Sequence, residues 1–268
     1  MDSCRLGIEG DGDLYGLGIR LALYCQWTCT LLATLFAPEE ESINCLINLL
    51  LQVALLVGLV IKTATRKATT IEPMIILWLL FGALSSLTGD GINPLERLSG
   101  VCRLLIYAAT SAYFVWFWYG DGWRRLRPTP CRPFFFYKAN TLGGWFGILG
   151  KTVSMAGLVA SAALLAAAAY RFWKKPELVR KVHRPQARLQ TEIPFLLLSL
   201  AIILFSVMTT EILVHGNRIE GVDEIGSVGQ LIPFLVGLFG LLASLASIKA
   251  RHLLRQKRCW TIFGRHLT

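Results

Sequence analysis

The stretch Ile193–Val214, IPFLLLSLAIILFSVMTTEILV, decides the fold class of this chain. Its 22 residues contain a single charged side chain, Glu211. A helix needs about 20 predominantly apolar residues to cross the hydrocarbon core of a bilayer, so the stretch predicts a transmembrane helix. A carboxyl group in such a helix is costly and indicates function by default. Because Glu211 lies one turn from the end of the stretch, a side chain that simply reaches the headgroups is the alternative.

Six further apolar stretches of similar length follow the same pattern. They are Leu17–Ala37, Ile43–Ile61, Ile71–Thr88, Val101–Tyr119, Thr152–Phe172 and Val228–Ile248. The chain is 54% hydrophobic with a mean hydropathy of +0.54, so we predict an all-α, polytopic membrane helix bundle with seven or eight transmembrane helices. The polar stretches between them are loops in length, and we expect residues 1–268 to form a single integral membrane domain.

Charge and cysteine patterns argue against several classes of protein. The net charge of +10 comes from basic residues between the apolar stretches, as the positive-inside rule requires, so we expect no nucleic-acid partner. The seven cysteines form no Cys-x-x-Cys pair and no cluster with histidine, so we predict no metal site. No nucleotide-binding or hydrolase motif and no pair of Asp-rich motifs is present, and we expect no cofactor and no diphosphate chemistry.

The number of crossings follows from the lysines and arginines on the two sides of the membrane. With seven helices, 14 basic residues on one side face 11 on the other, which is hardly a bias. If Pro133–Gly150 also crosses and Lys151 lies in a tight turn, 21 face 3. Orientation follows such an excess in short loops, so we predict eight crossings with both termini cytosolic. Because Pro133–Gly150 holds Lys138 and Asn140, an interfacial or re-entrant helix is the alternative.

Under this topology, polar residues of several helices gather at the non-cytosolic end of the bundle. Asn44, Asn48 and Gln52 are spaced four residues apart and share one face of a helix. Amides in hydrocarbon need partners, so this face should point into the bundle. The other members of the predicted group are Asp90, Asn93, Arg103, Glu211, Asn217 and Gln230. Their convergence predicts a ligand cavity, with a purely structural hydrogen-bond network as the alternative.

Two charged residues stand at predicted helix starts on the opposite, cytosolic side. Arg20 follows Gly16 and Gly18, and we expect it to snorkel to the headgroups, with binding of a lipid phosphate as the alternative. Glu72 belongs to the run Thr70-Ile71-Glu72-Pro73, which is typical of a capped helix start. The prediction for Glu72 is therefore capping rather than catalysis.

Motifs near the two ends of the chain resemble a family of filamentous-fungal integral membrane proteins. The first helix carries Gly16-x-Gly18-x-Arg20 and Tyr24-x-Gln26. The C-terminal part carries Thr210-Glu211, Asn217-Arg218-Ile219-x-Gly221-Val222 and Gly229-Gln230-Leu231-Ile232-Pro233. A subset of these proteins is similar to the small multi-pass terpene cyclases of fungal meroterpenoid pathways. Those enzymes cyclise a prenylated, usually epoxidised substrate without releasing diphosphate.

The resemblance implies an isomerase of secondary metabolism that opens an epoxide or protonates an alkene with a general acid. Glu211 occupies the acidic position of the signature and is the first candidate acid, with Asp90 as the second. The candidate substrate-binding residues are Asn44, Asn48, Gln52, Arg103, Asn217 and Gln230. Aromatic faces stabilise cations, and the chain offers Trp78, Tyr107, Tyr113, Phe114, Trp116, Trp118 and Trp145.

Two functions are open at this point. We favour a membrane-bound terpene cyclase, whose lipophilic substrate enters laterally from the bilayer of the endoplasmic reticulum or another endomembrane. The alternative is a non-enzymatic small transporter or receptor-like sensor that binds a ligand in the same polar cavity. The sequence gives no prediction of the oligomeric state.

Overall fold

The computed structural model is helical along almost all of its described length. It describes residues 7–37, 41–88, 98–129, 134–135, 138–139, 144–174 and 192–265. The α-helices in this part are α1 Gly12–Tyr15, α2 Leu17–Phe36, α3 Glu41–Ala64, α4 Glu72–Gly82, α5 Leu98–Tyr119, α6 Gly122–Arg125, α7 Trp145–Lys174, α8 Glu192–Gly216 and α9 Val228–Arg265. A 3₁₀-helix, Ala83–Thr88, continues α4. The strands in this part have two residues each: β1 Ile8–Glu9, β2 Phe134–Phe135, β3 Lys138–Ala139 and β4 Ile219–Glu220.

The predicted all-α, polytopic membrane bundle is confirmed. In the described part of the chain, six helices are long and apolar enough to cross a bilayer: Gly12–Phe36, Ile43–Ala64, Gly100–Tyr119, Trp145–Lys174, Pro194–Gly216 and Val228–Arg251. Helix α4 is shorter, but α4 and its 3₁₀ continuation together rise about 28 Å, close to the ~30 Å of the hydrocarbon core. The described residues therefore provide seven elements with the length of a crossing.

Contacts between helix ends show that α3 and α5 run antiparallel to α2, whereas α4 runs parallel to it. Lys62, near the end of α3, pairs with Glu72 at the start of α4, with 2.6 Å between Nζ and Oε1. Thr63 of α3 hydrogen-bonds Tyr113 near the end of α5, with 2.8 Å between their oxygens. Lys62 also pairs with Asp11, just before α2. We call this end of the bundle, at which α2 begins, the proximal end, and the opposite one the distal end.

Helix α7 runs without interruption from Trp145 to Lys174 and passes through Lys151. The tight turn predicted at Lys151 is therefore wrong, and Pro133–Gly150 does not form a separate crossing helix. Its first part instead holds the antiparallel pair β2–β3, and its last six residues begin α7. Lys151 can lie within a helix because its ammonium group is placed over the Tyr119 ring at the proximal end, 5.5 Å from the ring centroid.

Losing one crossing reverses the direction of α8 and α9 relative to the prediction. The end of α8 now lies at the proximal end, where Glu211 pairs with Arg20 of α2. The start of α9 lies there too, where Gln230 contacts Gly18 of α2. Helix α2 therefore begins at the proximal end of the bundle, whereas α9 ends at the distal end. The prediction that both termini lie on one side of the membrane does not agree with this arrangement.

Close helix packing brings α2 against α9. A Cβ atom added at Gly18 would lie 2.5 Å from the Gln230 carbonyl oxygen, and one added at Gly237 would lie 2.8 Å from the Ala22 carbonyl oxygen. Between lipid-embedded helices, small residues permit the close contact that replaces the hydrophobic driving force of water. Glycines on both helices thus set the α2–α9 distance on which the proximal site depends.

Candidate functional site

Arg20 is the centre of a charged group at the proximal end. It lies in the first turn of α2, and its side chain is only 1% exposed. Its Nη1 donates to Glu211 Oε2 at 2.6 Å, and its Nη2 donates to Asp223 Oδ1 at 2.9 Å and to the Val222 carbonyl oxygen at 3.0 Å. The expectation that Arg20 snorkels to the headgroups is therefore wrong: the planar guanidinium binds two carboxylates inside the protein.

Glu211 of α8 is held by two residues of α2, Arg20 and Tyr24. Tyr24 follows Arg20 by four residues, so both side chains lie on one face of α2. The Tyr24 hydroxyl donates to Glu211 Oε1 at 2.7 Å, while Arg20 occupies the other oxygen. The Glu211 side chain remains 30% exposed. The carboxyl group is thus fixed in position and still open to a molecule that enters from one side.

Two further ionisable side chains complete this group. His215, one turn after Glu211 on α8, lies 3.6 Å from Glu211 Oε2 and 3.9 Å from Asp223 Oδ2 through its two ring nitrogens. Asp223 and His215 are more than half exposed. We call Arg20, Tyr24, Glu211, Asp223 and His215 the arginine cluster. The cluster brings two carboxylates against one guanidinium, with the His215 imidazole beside both carboxylates.

The connection between α8 and α9 carries Asp223 to this position. Its strand β4 pairs in parallel with β1, in the register Ile8 to Ile219 and Glu9 to Glu220. Strand β1 belongs to the described residues 7–16 before α2, which we call the N-terminal segment. Gly221 then turns the chain with φ +78°, a conformation that favours glycine. The Val222 carbonyl and Asp223 follow directly, and both bind Arg20. The N-terminal segment therefore helps to hold the connection over the arginine.

A second charged group ties the N-terminal segment to α3 and α4. Glu72 is 1% exposed and accepts hydrogen bonds from the Thr69 N–H at 2.8 Å, the Tyr15 hydroxyl at 3.0 Å and Lys62 at 2.6 Å. Helix α4 begins at Glu72 with Pro73 in its first turn, as predicted, but the predicted cap is wrong, because the N-cap residue is Ile71 and makes no side-chain capping hydrogen bond. Lys62 also binds Asp11 at 2.9 Å. With both carboxylate oxygens bonded and almost no exposed surface, Glu72 has the environment of a structural anchor.

Two of the predicted substrate-binding residues lie beside the arginine cluster. Gln230 is 3% exposed, and its side-chain oxygen lies 3.5 Å from the Gly18 N–H, where α9 meets α2. Asn217 donates from Nδ2 to the Leu213 carbonyl oxygen at 2.8 Å, at the end of α8. In the structure, both side chains stabilise helix ends near the cluster, and their contact with a substrate stays a prediction.

The predicted amide face of α3 is present and points into the bundle. Asn44, Asn48 and Gln52 are 6%, 0% and 1% exposed. Asn44 contacts α2 through its backbone oxygen, which accepts from Gln26 at 2.9 Å, and through its side chain, which contacts the Cys29 thiol at 3.3 Å. The three amides thus extend from the distal part of α3 to its middle.

The predicted gathering of all polar candidates at one end is wrong. Glu211 and Gln230 lie at the proximal end, whereas Asn44 lies near the distal start of α3 and Arg103 near the distal start of α5. The reversed direction of α8 and α9, a consequence of the uninterrupted α7, separates them. Arg103 is 2% exposed. Asp90, the second candidate acid, and Asn93 lie outside the described residues.

The aromatic side chains near the end of α5 contact one another and α7, mostly edge-on. Trp118 packs edge-on against Phe146 of α7, with 5.8 Å between the ring centroids. A ring that packs against the cluster is Trp27, which is fully buried and lies 5.4 Å from the Tyr24 ring. Trp27 was not among the predicted aromatic candidates, although its spacing of three residues from Tyr24 places both rings on one face of α2.

The residues that the sequence analysis missed are the partners of Glu211. Arg20, Tyr24 and Asp223 are separated from it by 191, 187 and 12 positions. In the described part of the chain, no group of three or more His, Cys, Asp or Glu side chains is arranged to hold a metal ion. No protein-family model, curated protein or solved structure matches the chain.

Proposed function

We propose that this chain is a membrane-bound terpene cyclase that converts a prenylated, epoxidised lipophilic substrate into a ring-containing isomer by general-acid catalysis. The observation that carries the proposal is the arginine cluster, in which Glu211 and Asp223 share the guanidinium of Arg20 within the helix bundle. The reaction class comes from the resemblance of the motifs around Arg20, Glu211 and Gln230 to the fungal family. The proposed location is an endomembrane, such as the endoplasmic reticulum.

The charge balance of the cluster supports a role for Glu211 in proton transfer. Two carboxylates share one guanidinium, so one added proton still leaves Arg20 with a carboxylate partner. If Glu211 takes that proton, Arg20 keeps Asp223 and the Val222 carbonyl as partners. The protonated carboxyl group is therefore accommodated without leaving an unpaired guanidinium. The partly exposed side of Glu211 gives a substrate access to it.

The proposed reaction balances without a cofactor. The proton of Glu211 moves to the epoxide oxygen, the C–O bond at the more substituted carbon breaks, and its electron pair stays on the oxygen as a hydroxyl group. The π electrons of neighbouring alkenes then form C–C bonds as the positive charge moves along the prenyl chain. The last cation loses a proton, which returns to a carboxylate of the cluster. Aromatic faces can stabilise the cation on its way, and the partly buried Tyr24 ring belongs to the cluster itself.

A second candidate is a non-enzymatic transporter or receptor-like sensor that binds its ligand at the same end. The observation that favours it is the hydrogen bonding of Glu211, whose two oxygens accept from Arg20 and Tyr24. An ion pair uses the carboxylate, whereas a general acid must carry a proton. This arrangement suits a fixed anionic binding group.

The two candidates differ in whether a substrate is converted. We would express the chain in a heterologous fungus that supplies an epoxyfarnesyl phenolic substrate, and search by liquid chromatography and mass spectrometry for a cyclised isomer of equal mass. Glu211→Gln should abolish the isomer at unchanged protein level. Glu224→Gln, which alters an exposed carboxyl group in the same connection, should leave it unchanged.

Each result decides one point. If the wild-type chain reaches the membrane but gives no isomer with several epoxidised substrates, the cyclase proposal fails and ligand binding becomes the better account. If the wild type and Glu211→Gln are equally active, the chain is a cyclase in which Glu211 has no part in proton transfer.

A further inference from the structure

We propose that Asn48 and Gln52 form a second binding site, in the middle of the bundle, for the hydroxyl group of a neutral lipophilic molecule. Both side chains lie one turn apart on the inward face of α3, at 0% and 1% exposure. In the described part of the chain, none of their four side-chain amide atoms has a hydrogen-bond partner. The two buried amides thus offer two NH2 groups, each with two N–H donors, and two carbonyl acceptors that form no hydrogen bond within the described residues.

The neighbouring amide on the same face shows what a structural role requires. Asn44 lies one turn before Asn48, and contacts from Gln26 and Cys29 join it to α2. Asn48 and Gln52 lack such partners although they are more deeply buried. The hydrogen-bond network that links α2 and α3 therefore ends at Asn44. A network role does not account for the next two amides.

Leaving these amides without partners would be unfavourable. Each unsatisfied buried polar group costs about 1–3 kcal/mol, and apolar residues of the same shape would avoid that cost. The flanking inward positions of α3, Leu49, Leu55 and Leu59, are apolar and buried. A polar guest that pairs with Asn48 and Gln52 removes the penalty. Such a guest must be small at its polar end, because the surrounding positions are packed with hydrocarbon.

The chemistry of the two side chains selects the class of guest. An amide pair presents both N–H donors and C=O acceptors but no charge, which matches a hydroxyl group that donates one hydrogen bond and accepts another. The rest of the guest must be apolar, since it lies among the helices of a membrane bundle. Gln52 precedes Lys62 by ten residues, so the site is about 15 Å deeper than the proximal end. It is separate from the arginine cluster, and its occupation does not depend on the proposed cyclase activity.

Photolabelling of the full-length protein in nanodiscs tests the site. The probes are a long-chain alcohol that carries a diazirine and the hydrocarbon of the same length that carries the same group. Mass spectrometry maps the labelled peptides. We expect the alcohol to label the segment around Asn48 and Gln52 and its neighbours on α2, and unlabelled alcohol to compete. The hydrocarbon should label lipid-facing positions such as Leu46 and Leu50, which are 49% and 60% exposed.

A pair of matched double variants locates the interaction. Asn48→Leu/Gln52→Leu should weaken binding of the alcohol probe about 30-fold, as expected for the loss of two ordinary hydrogen bonds. It should unfold at the same or a higher temperature than the wild type, because leucines replace unsatisfied amides. The control, Leu46→Val/Leu50→Val, changes the lipid-facing side of the same helix and should bind the probe normally.

The remaining outcomes overturn the proposal. Equal labelling by alcohol and hydrocarbon would mean that the amides hold water only. Unchanged alcohol binding in Asn48→Leu/Gln52→Leu would place the binding site elsewhere. If that variant does not fold, the wild-type comparison of the two probes decides, since it needs no substitution. A variant that unfolds at a lower temperature, together with no alcohol-specific label on the wild type, would assign both amides a structural role.

Discussion

Replacing Arg20 with methionine should destabilise the bundle strongly. Methionine keeps an unbranched apolar side chain of similar length, so the change removes the charge and the hydrogen bonds with little loss of volume. Glu211 and Asp223 would then face each other without their shared cation, and the Val222 carbonyl would lose its donor. The variant therefore tests whether the ion pair between α2 and α8 stabilises the fold.

The expected loss can be worked out from the exposure of each partner. Removing one partner of a buried ion pair costs about 3–5 kcal/mol, and the lower limit applies here because Glu211 is 30% exposed. The pair with Asp223 adds at most about 1 kcal/mol, since that carboxylate is half exposed. The unpaired Val222 carbonyl adds about 1 kcal/mol. We expect a loss of roughly 4–5 kcal/mol for Arg20→Met and about half of it for Arg20→Lys, which keeps the charge but loses the fork-shaped donor geometry.

Unfolding in mixed detergent micelles, followed by circular dichroism, measures this free energy. Arg124→Met is a matched control, because Arg124 is 64% exposed and its pair with Asp121 spans 3.4 Å; its loss should stay below about 1 kcal/mol. In a double-mutant cycle, Arg20→Met and Glu211→Gln should couple by about 2 kcal/mol or more. If Arg20→Met lies within about 1 kcal/mol of the wild type, or the two changes are additive, the ion pair does not stabilise the bundle.

The remaining predictions concern packing, the second charged group and topology. Gly18→Leu forces a side chain against the α9 backbone and should cost at least about 2 kcal/mol in the same unfolding assay; a neutral effect would contradict the close α2–α9 contact. Glu72→Gln should cost about 2–3 kcal/mol and expose the N-terminal segment to limited proteolysis, because it weakens a buried ion pair; unchanged cleavage would argue against the anchor. Epitope tags after Thr129 and Gly226 should be accessible from the same side of the membrane, and a tag within 175–191 from the other. Tags after Thr129 and within 175–191 on one side would restore eight crossings.

The helices were largely predictable because length and composition determine them. Each apolar stretch that the sequence offered, apart from Pro133–Gly150, corresponds to a helix or, for Ile71–Thr88, to α4 with its 3₁₀ continuation. Only helices and closed barrels satisfy their backbone groups in hydrocarbon, so a long apolar stretch has few alternatives. That constraint acts within each segment and does not depend on distant parts of the chain.

The crossing count failed because it treated one lysine as a loop residue. A turn at Lys151 placed 21 basic residues on one side of the membrane and 3 on the other, which favoured eight crossings. A lysine can nevertheless remain within a helix when its ammonium group reaches an interfacial aromatic ring. Tyr119 provides that ring and lies 32 positions earlier in the sequence. Counting charges in loops could therefore not predict the contact between Lys151 and Tyr119. The error then moved Glu211 to the wrong end of the predicted bundle.

The pairing of Arg20 with Glu211 was partly present in the sequence. A membrane protein with one buried acid needs a partner for it, and Arg20 is a basic residue inside another apolar stretch. Its neighbours Gly16 and Gly18 indicated a close helix contact that would bury it. By contrast, Asp223 reaches the cluster through a pairing of two-residue strands, which carries no readable pattern. The ion pair could have been inferred, but the second carboxylate could not.

The double role of the arginine cluster determines which variant can assign chemistry. Arg20→Met removes activity and stability together, so its inactivity would not distinguish a catalytic from a structural role. Glu211→Gln keeps the shape of the side chain, can still accept from Arg20 or Tyr24, and leaves Arg20 its contacts with Asp223 and Val222. We expect it to cost about 1–2 kcal/mol, well below Arg20→Met. A folded but inactive Glu211→Gln protein would therefore attribute the loss to the proton that an amide cannot supply, whereas equal losses of stability in both variants would leave Glu211 as a structural partner of Arg20.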